Sequence, residues 1–128
     1  MRLVSALLLV AVFVGASPVQ ATPMGRVVLQ GLDKVTARVS TIEARVGEVV
    51  RFGTLEIIAR HCDKRPPEET PESAAFLDIW EIRPGEPASS LFRGWMFASS
   101  PALNALEHPV YDIWVLDCGQ ALEASPPK

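Results

Sequence analysis

The chain has 128 residues, 12 Lys+Arg against 15 Asp+Glu, and a formal net charge of −3. Its length fits one domain. An acidic chain without a Lys/Arg cluster argues against nucleic acid as a partner, because phosphate binding needs concentrated positive charge.

Residues 1–21 read MRLVSALLLVAVFVGASPVQA. One positive charge at Arg2 precedes an apolar run from Leu3 to Val14, a break at Gly15–Pro18, and small residues at Val19 and Ala21. That is the layout of a secretory signal peptide cut after Ala21. The apolar run is shorter than the roughly 20 residues a spanning helix needs, and no later segment is long enough, so no stable membrane span is expected after cleavage. The expected organisation is a leader over 1–21, a single β-rich domain over 22–121 and a flexible tail over 122–128. The expected location is the periplasm.

The mature chain opens with a short frayed segment, Thr22–Gly25. From Lys34 the period is two: Val35, Ala37 and Val39 alternate with Thr36, Arg38 and Ser40, which predicts a half-buried strand. Ile42–Val46 and Val49–Phe52 are short strands around a Gly47-Glu48 turn, and Gly53 permits a second turn. In Thr54–Cys62, Leu55, Ile57 and Ala59 share a face. Strict alternation then puts Cys62 on the polar side, unless a bulge near His61 turns it inward. Asp63–Ser73 is a loop, since Pro66, Pro67 and Pro71 cannot donate to a ladder. Ala74–Arg83 is apolar on both faces and reads as a central strand. Pro84-Gly85 marks a turn, and Leu91–Ala98 returns.

Ser100 is placed to cap a short helix starting at Pro101 and ending by Glu107, because Pro109 disfavours helical geometry at His108. Val110–Cys118 is the last strand. Cys62 and Cys118 are the only cysteines. In an oxidising compartment they have one possible pairing. The fold class is all-β: a small antiparallel β-sandwich or barrel-like domain with one short helix and one disulfide.

The stretch Gly94–Cys118 concentrates the residue types of chemistry. Ser99 or Ser100, His108, and Asp112 or Asp117 supply a triad's components, but no Gly-x-Ser-x-Gly elbow frames a serine. His61, Cys62, His108 and Cys118 are possible zinc ligands, yet neighbours on a strand point to opposite faces. No cofactor and no metal site are therefore assigned. The rings of Phe92, Trp95, Phe97, Tyr111 and Trp114 are expected mostly in the core, since each removes about 150–250 Å² from water. Phe92 and Met96 lie opposite Trp95 and Phe97, so one face is open to a partner.

The runs GLDKVTARV, VGEVVRFGTLEIIARHC, KRPPEETPESAAFLDIWEI and GWMFASSPALNALEHPVYDIWVLDC resemble an uncharacterised exported family of alphaproteobacteria, domain of unknown function 2155, over about Gly31–Cys118. The resemblance implies a Gram-negative exported protein and carries no activity, substrate or cofactor. The candidate binding residues are Trp95, Asn104, Glu107, His108 and Trp114. The expected role is non-enzymatic binding or scaffolding of an envelope protein or cell-wall component. The alternative is a hydrolase of an envelope polymer using His108 with a nearby serine or carboxylate.

Overall fold

The structure is a computed structural model that describes residues 11–15 and 21–121. Most of the expected leader and the 122–128 tail lie outside the described residues. Eight strands form two antiparallel sheets. They are β1 (Thr22–Pro23), β2 (Arg26–Asp33), β3 (Arg38–Arg45), β4 (Val49–Phe52), β5 (Leu55–Lys64), β6 (Ser73–Glu81), β7 (Ser89–Phe97) and β8 (Tyr111–Gly119).

The larger sheet has β5 and β6 at its centre and β7 on one edge; β1 and β4 pair with opposite ends of β5 on the other. The smaller sheet runs β3-β2-β8. Its last strand crosses the inner face of the larger sheet, packing on β5, β6 and β7. The architecture is thus the sandwich expected from the alternating pattern.

The packed core is aliphatic. Val27, Leu29, Leu55, Ile57, Leu77, Ile79, Ile113 and Val115 are almost wholly shielded from water, with Ala44, Ala59, Ala75, Met96 and Leu106 filling between them. The expectation that most of the rings of Phe92, Trp95, Phe97, Tyr111 and Trp114 lie in the core is overturned: Phe92 and Tyr111 pack against it, and the other three do not. No aromatic residue is fully buried, and none of the three tryptophans packs on the core cluster. Two sheets about 10 Å apart leave room for interdigitating Val, Leu and Ile, and larger rings are excluded to the rim and outer faces.

Three local expectations are corrected. Residues 22–25 are not frayed: β1 pairs with the end of β5, and Met24 N donates to Cys62 O. The strand expected from Lys34 starts at Arg38, because Asp33 Oδ1 accepts from Val35 N and Thr36 N and bends the chain into a turn. Ala37 closes that turn at φ 56°. The helix expected over Pro101–Glu107 is one 3-10 turn, Pro101–Leu103, and Ser100 makes no side-chain cap.

β2 was not legible as a strand. Its sequence RVVLQGLD puts Val27, Val28 and Leu29 in succession and a glycine in the middle. It is the central strand of the smaller sheet. Gly31 is required there because a Cβ would lie 2.8 Å from the Phe52 ring.

The alternative read at His61 holds. The β5–β6 register shifts between Ala59 and His61, which rotates Cys62 into the core at 1% exposure. There it is joined to Cys118 of the facing sheet across a Cα–Cα distance of 5.6 Å. The bridge closes a sequence separation of 56 residues. Replacing both cysteines by alanine is expected to lower stability by about 2–4 kcal/mol, since the crosslink restricts the unfolded chain. Urea unfolding of the oxidised and doubly substituted proteins measures it.

Candidate functional site

The polar residues of the Gly94–Cys118 stretch fold into separate places, each with its own partner. Ser99 donates its hydroxyl and its backbone N–H to Glu72. Asp112 pairs with Lys34 at 3.2 Å. Asp117 accepts from Lys64 Nζ at 2.9 Å and from the buried Ser73 hydroxyl at 3.1 Å. Burial raises the Asp117 pKa, but these hydrogen bonds and the Cys118 N–H outweigh it and hold the carboxyl below its ordinary value. Ser73 also receives the Cys118 N–H, so this group joins the two sheets beside the disulfide.

His108 is buried before Pro109. Its Nδ1 accepts from Val110 N at 3.0 Å and Tyr111 N at 3.1 Å, so that nitrogen carries no proton. The ring proton is therefore on Nε2, where it meets Glu81 at the end of β6. Glu81 also pairs with Arg83 Nε at 2.7 Å and accepts from the Thr54 hydroxyl. Tyr111 stacks on the imidazole with ring centroids 5.2 Å apart. Both ring nitrogens are engaged within the fold, and neither faces a serine. The carboxylate that sequence reading sought among Asp112 and Asp117 is Glu81, 27 positions upstream. Nothing in the local sequence pairs them; the facing of the two sheets does.

A different constellation lies on the outer face of the larger sheet. His61, Phe76 and Trp95 are consecutive cross-strand neighbours in β5, β6 and β7. Phe76 meets Trp95 edge-on at 5.6 Å, and His61 lies parallel to Trp95 at 6.1 Å between ring centroids. Arg60 and Arg93 flank this row around an open hollow of about 550 Å³. Arg60 reaches the buried Asp78 at 3.4 Å, whereas Arg93, exposed and directly across from Asp78, makes no ion pair among the described residues. Trp80 lies on the same face two positions beyond Asp78. Leu91 does not: a register shift opposite Ile79 and Trp80 turns it toward the core. The sequence signal for this row was the apolar residue on both faces of β6.

The five predicted binding residues are split. Trp95 is in the row just described. Asn104, exposed after the 3-10 turn, donates from Nδ2 to Trp95 O at 2.9 Å. Glu107 is exposed and His108 buried on either side of one peptide bond. Trp114 is across the molecule, on the outer face of the smaller sheet beside Gln30. Cys62 and Cys118 are consumed by their bond, and among the described residues no three His, Cys, Asp or Glu side chains are grouped to hold an ion.

Residues 27–118 match the model of a family described as an uncharacterized protein conserved in bacteria (DUF2155). The chain belongs to this family. The DUF2155 match runs from the first core residue of β2 to Cys118, and so contains both cysteines, the His108–Glu81 pair and the His61–Phe76–Trp95 row. An uncharacterized protein of Rickettsia prowazekii (strain Madrid E) is 34% identical over 87 residues, which are 68% of this chain and 56% of that protein. The chain therefore spans little more than half the length of this relative. No solved structure matches the chain.

The His108–Glu81 pair makes a pH-dependent contribution to stability. The His108 hydrogen bond foremost, with Arg83 and Thr54, holds the Glu81 carboxyl below its ordinary value of 4.5, against the opposing effect of burial. The contribution is complete above pH 4.5 and is lost as pH falls through the lower folded value. Glu81→Gln is expected to cost about 1–3 kcal/mol at neutral pH, the range for a charge-assisted hydrogen bond. It is also expected to flatten the acid limb of a stability–pH profile measured by urea unfolding.

Proposed function

We propose that this chain is an exported, periplasmic, non-enzymatic protein that binds a cell-envelope protein or wall component through the outer face of its larger sheet. The observation that carries the reading is the row of exposed His61 and half-buried Phe76 and Trp95, with two guanidinium groups beside it. A sheet face on which no other strand of the described residues packs, carrying large rings and arginine, has the composition of interface centres. The polar side chains of the 94–118 stretch support the non-enzymatic reading, because Ser99, His108 and Asp117 are each bonded to a separate partner elsewhere in the fold, Glu72, Glu81 and Ser73. Export rests on the leader layout of residues 1–21, within which Val12, Phe13 and Val14 are exposed.

The test is crosslinking in intact cells followed by purification of the native protein. The recovered chain is expected to begin at Thr22 and to carry a reproducible partner. Trp95→Ala is expected to reduce partner recovery about tenfold or more, as removal of a central aromatic anchor does. Trp114→Ala, on the opposite face, is expected to leave recovery unchanged. Equal loss in both variants, or no partner from the unsubstituted protein, contradicts the reading.

A further inference from the structure

The aromatic row ends at an open strand edge. One edge of the larger sheet is shared by the two-residue β1 and the four-residue β4. The other is β7, nine residues long, SSLFRGWMF. Natural edge strands are guarded by charges, proline, bulges or shortness. In the smaller sheet, β3 carries Arg38, Glu43 and Arg45. The free edge of β8 carries Asp112 and Asp117. β7 has no proline and a single charge, Arg93; its one irregularity is at Leu91, which leaves Arg93–Phe97 straight.

Backbone phase is fixed by the bond from Ala98 N to Ser73 O. In an antiparallel pair, residues alternately turn both backbone groups toward the partner strand and away from it. Counting back from Ala98, Met96, Gly94 and Phe92 face β6. Phe97, Trp95 and Arg93 therefore present their N–H and C=O outward. Two of these groups already have substitutes for a neighbouring strand: Ser100 N donates to Phe97 O, and the Asn104 side-chain amide donates to Trp95 O.

We infer that β7 accepts an extended, acidic segment of a partner protein as an additional strand, with Arg93 selecting for acidic charge and Asn104 guarding the edge at Trp95. The inference rests on the outer face of the larger sheet being the binding face. Strand addition pairs the outward backbone groups other than Phe97 O and takes over Trp95 O from Asn104, while alternate side chains of the added segment lie beside Trp95 and Phe97. At the Arg93 end of the row two guanidinium groups, Arg60 and Arg93, stand against the carboxylate of Asp78 and set the sign of the partner there, whereas Asp63 and Glu72, with Arg65, line the hollow at Trp95 and Phe97. The same charge opposes pairing of β7 with β7 of a second copy, which would bring two Arg93 side chains together near the middle of the joint.

The test uses the oxidised, isotopically labelled protein and a panel of capped nine-residue peptides that alternate valine with aspartate or glutamate. Lysine-containing counterparts and copies N-methylated at alternate peptide bonds are the controls. Acidic peptides are expected to shift the amide resonances of Arg93, Trp95 and Phe97 and to slow their hydrogen exchange. They are expected to bind about tenfold tighter than the lysine peptides, and Arg93→Glu is expected to reverse that preference. N-methylation is expected to abolish binding, since it removes donors and leaves side chains intact. Asn104→Ala is expected to tighten binding about three- to tenfold by freeing one acceptor. Acidic peptides that bind equally well when N-methylated overturn strand addition and leave the face reading standing. A panel that shifts no β7 amide, while Trp95→Ala still abolishes recovery of the native partner, also overturns strand addition alone. Shifts centred on Trp114 overturn both.

Discussion

The inward rotation of Cys62 is the constraint on which the rest of the structure depends. One residue's slip in the β5–β6 register moves that side chain from the outer face to the core, where Cys118 of the facing sheet meets it. The bond holds one end of β8 over β5 and β6, and Asp117, Lys64 and Ser73 reinforce it there. The other end of β8 is held by His108 on Glu81 at the far end of β6. Lys34, in the turn after β2, donates to His108 O and to Asp112, so all three strands of the smaller sheet share the anchorage. β8 is thus clamped at both ends across the same central strand.

A sandwich held this way has a thin interior. Leu, Ile, Val and Ala meet across it, and the segment between β7 and β8 adds Leu106 where three strands cannot cover five. The rings are displaced outward by that geometry. Phe52, Phe92 and Tyr111 seal the rim, and Phe52 and Tyr111 touch edge-on at 5.5 Å. Trp80, Trp95, Phe76 and Phe97 are left half-buried on a face that no other strand of the described residues covers. The bulge that brings the cysteine in also leaves both Arg60 and His61 exposed on the outer side. Stapling and the outer-face hollow are in this sense two results of one register shift.

How much of this was legible follows the physics of each element. Strands whose two faces differ, such as Val49–Phe52 and the first half of β5, were readable from period two alone. So was the two-faced apolar β6. β2 was not legible because Val28 and Leu32 on its outer face adjoin Val27 and Leu29 on its inner one and blur the alternation, and because Gly31 serves a ring, Phe52, from a distant strand. The turn at Lys34–Ala37 reads as strand because its residues alternate in polarity; the Asx turn at Asp33 overrides that pattern. The disulfide was readable from the count of two cysteines together with the expected export. The candidate site was only half readable. Trp95 and Asn104 meet, but Trp114 is on the opposite face, and the partners of His108 and Trp95, namely Glu81, Phe76 and His61, belong to strands brought near by topology.

The central claim is that the outer face of the larger sheet is covered in the cell and bare in isolation. Hydroxyl-radical footprinting of the protein in intact cells and after purification addresses it directly. The account predicts that Trp95 and Phe76 are oxidised readily in the purified protein and shielded in the cell, with Trp114 oxidised alike in both. Equal oxidation of Trp95 in the two settings would contradict it.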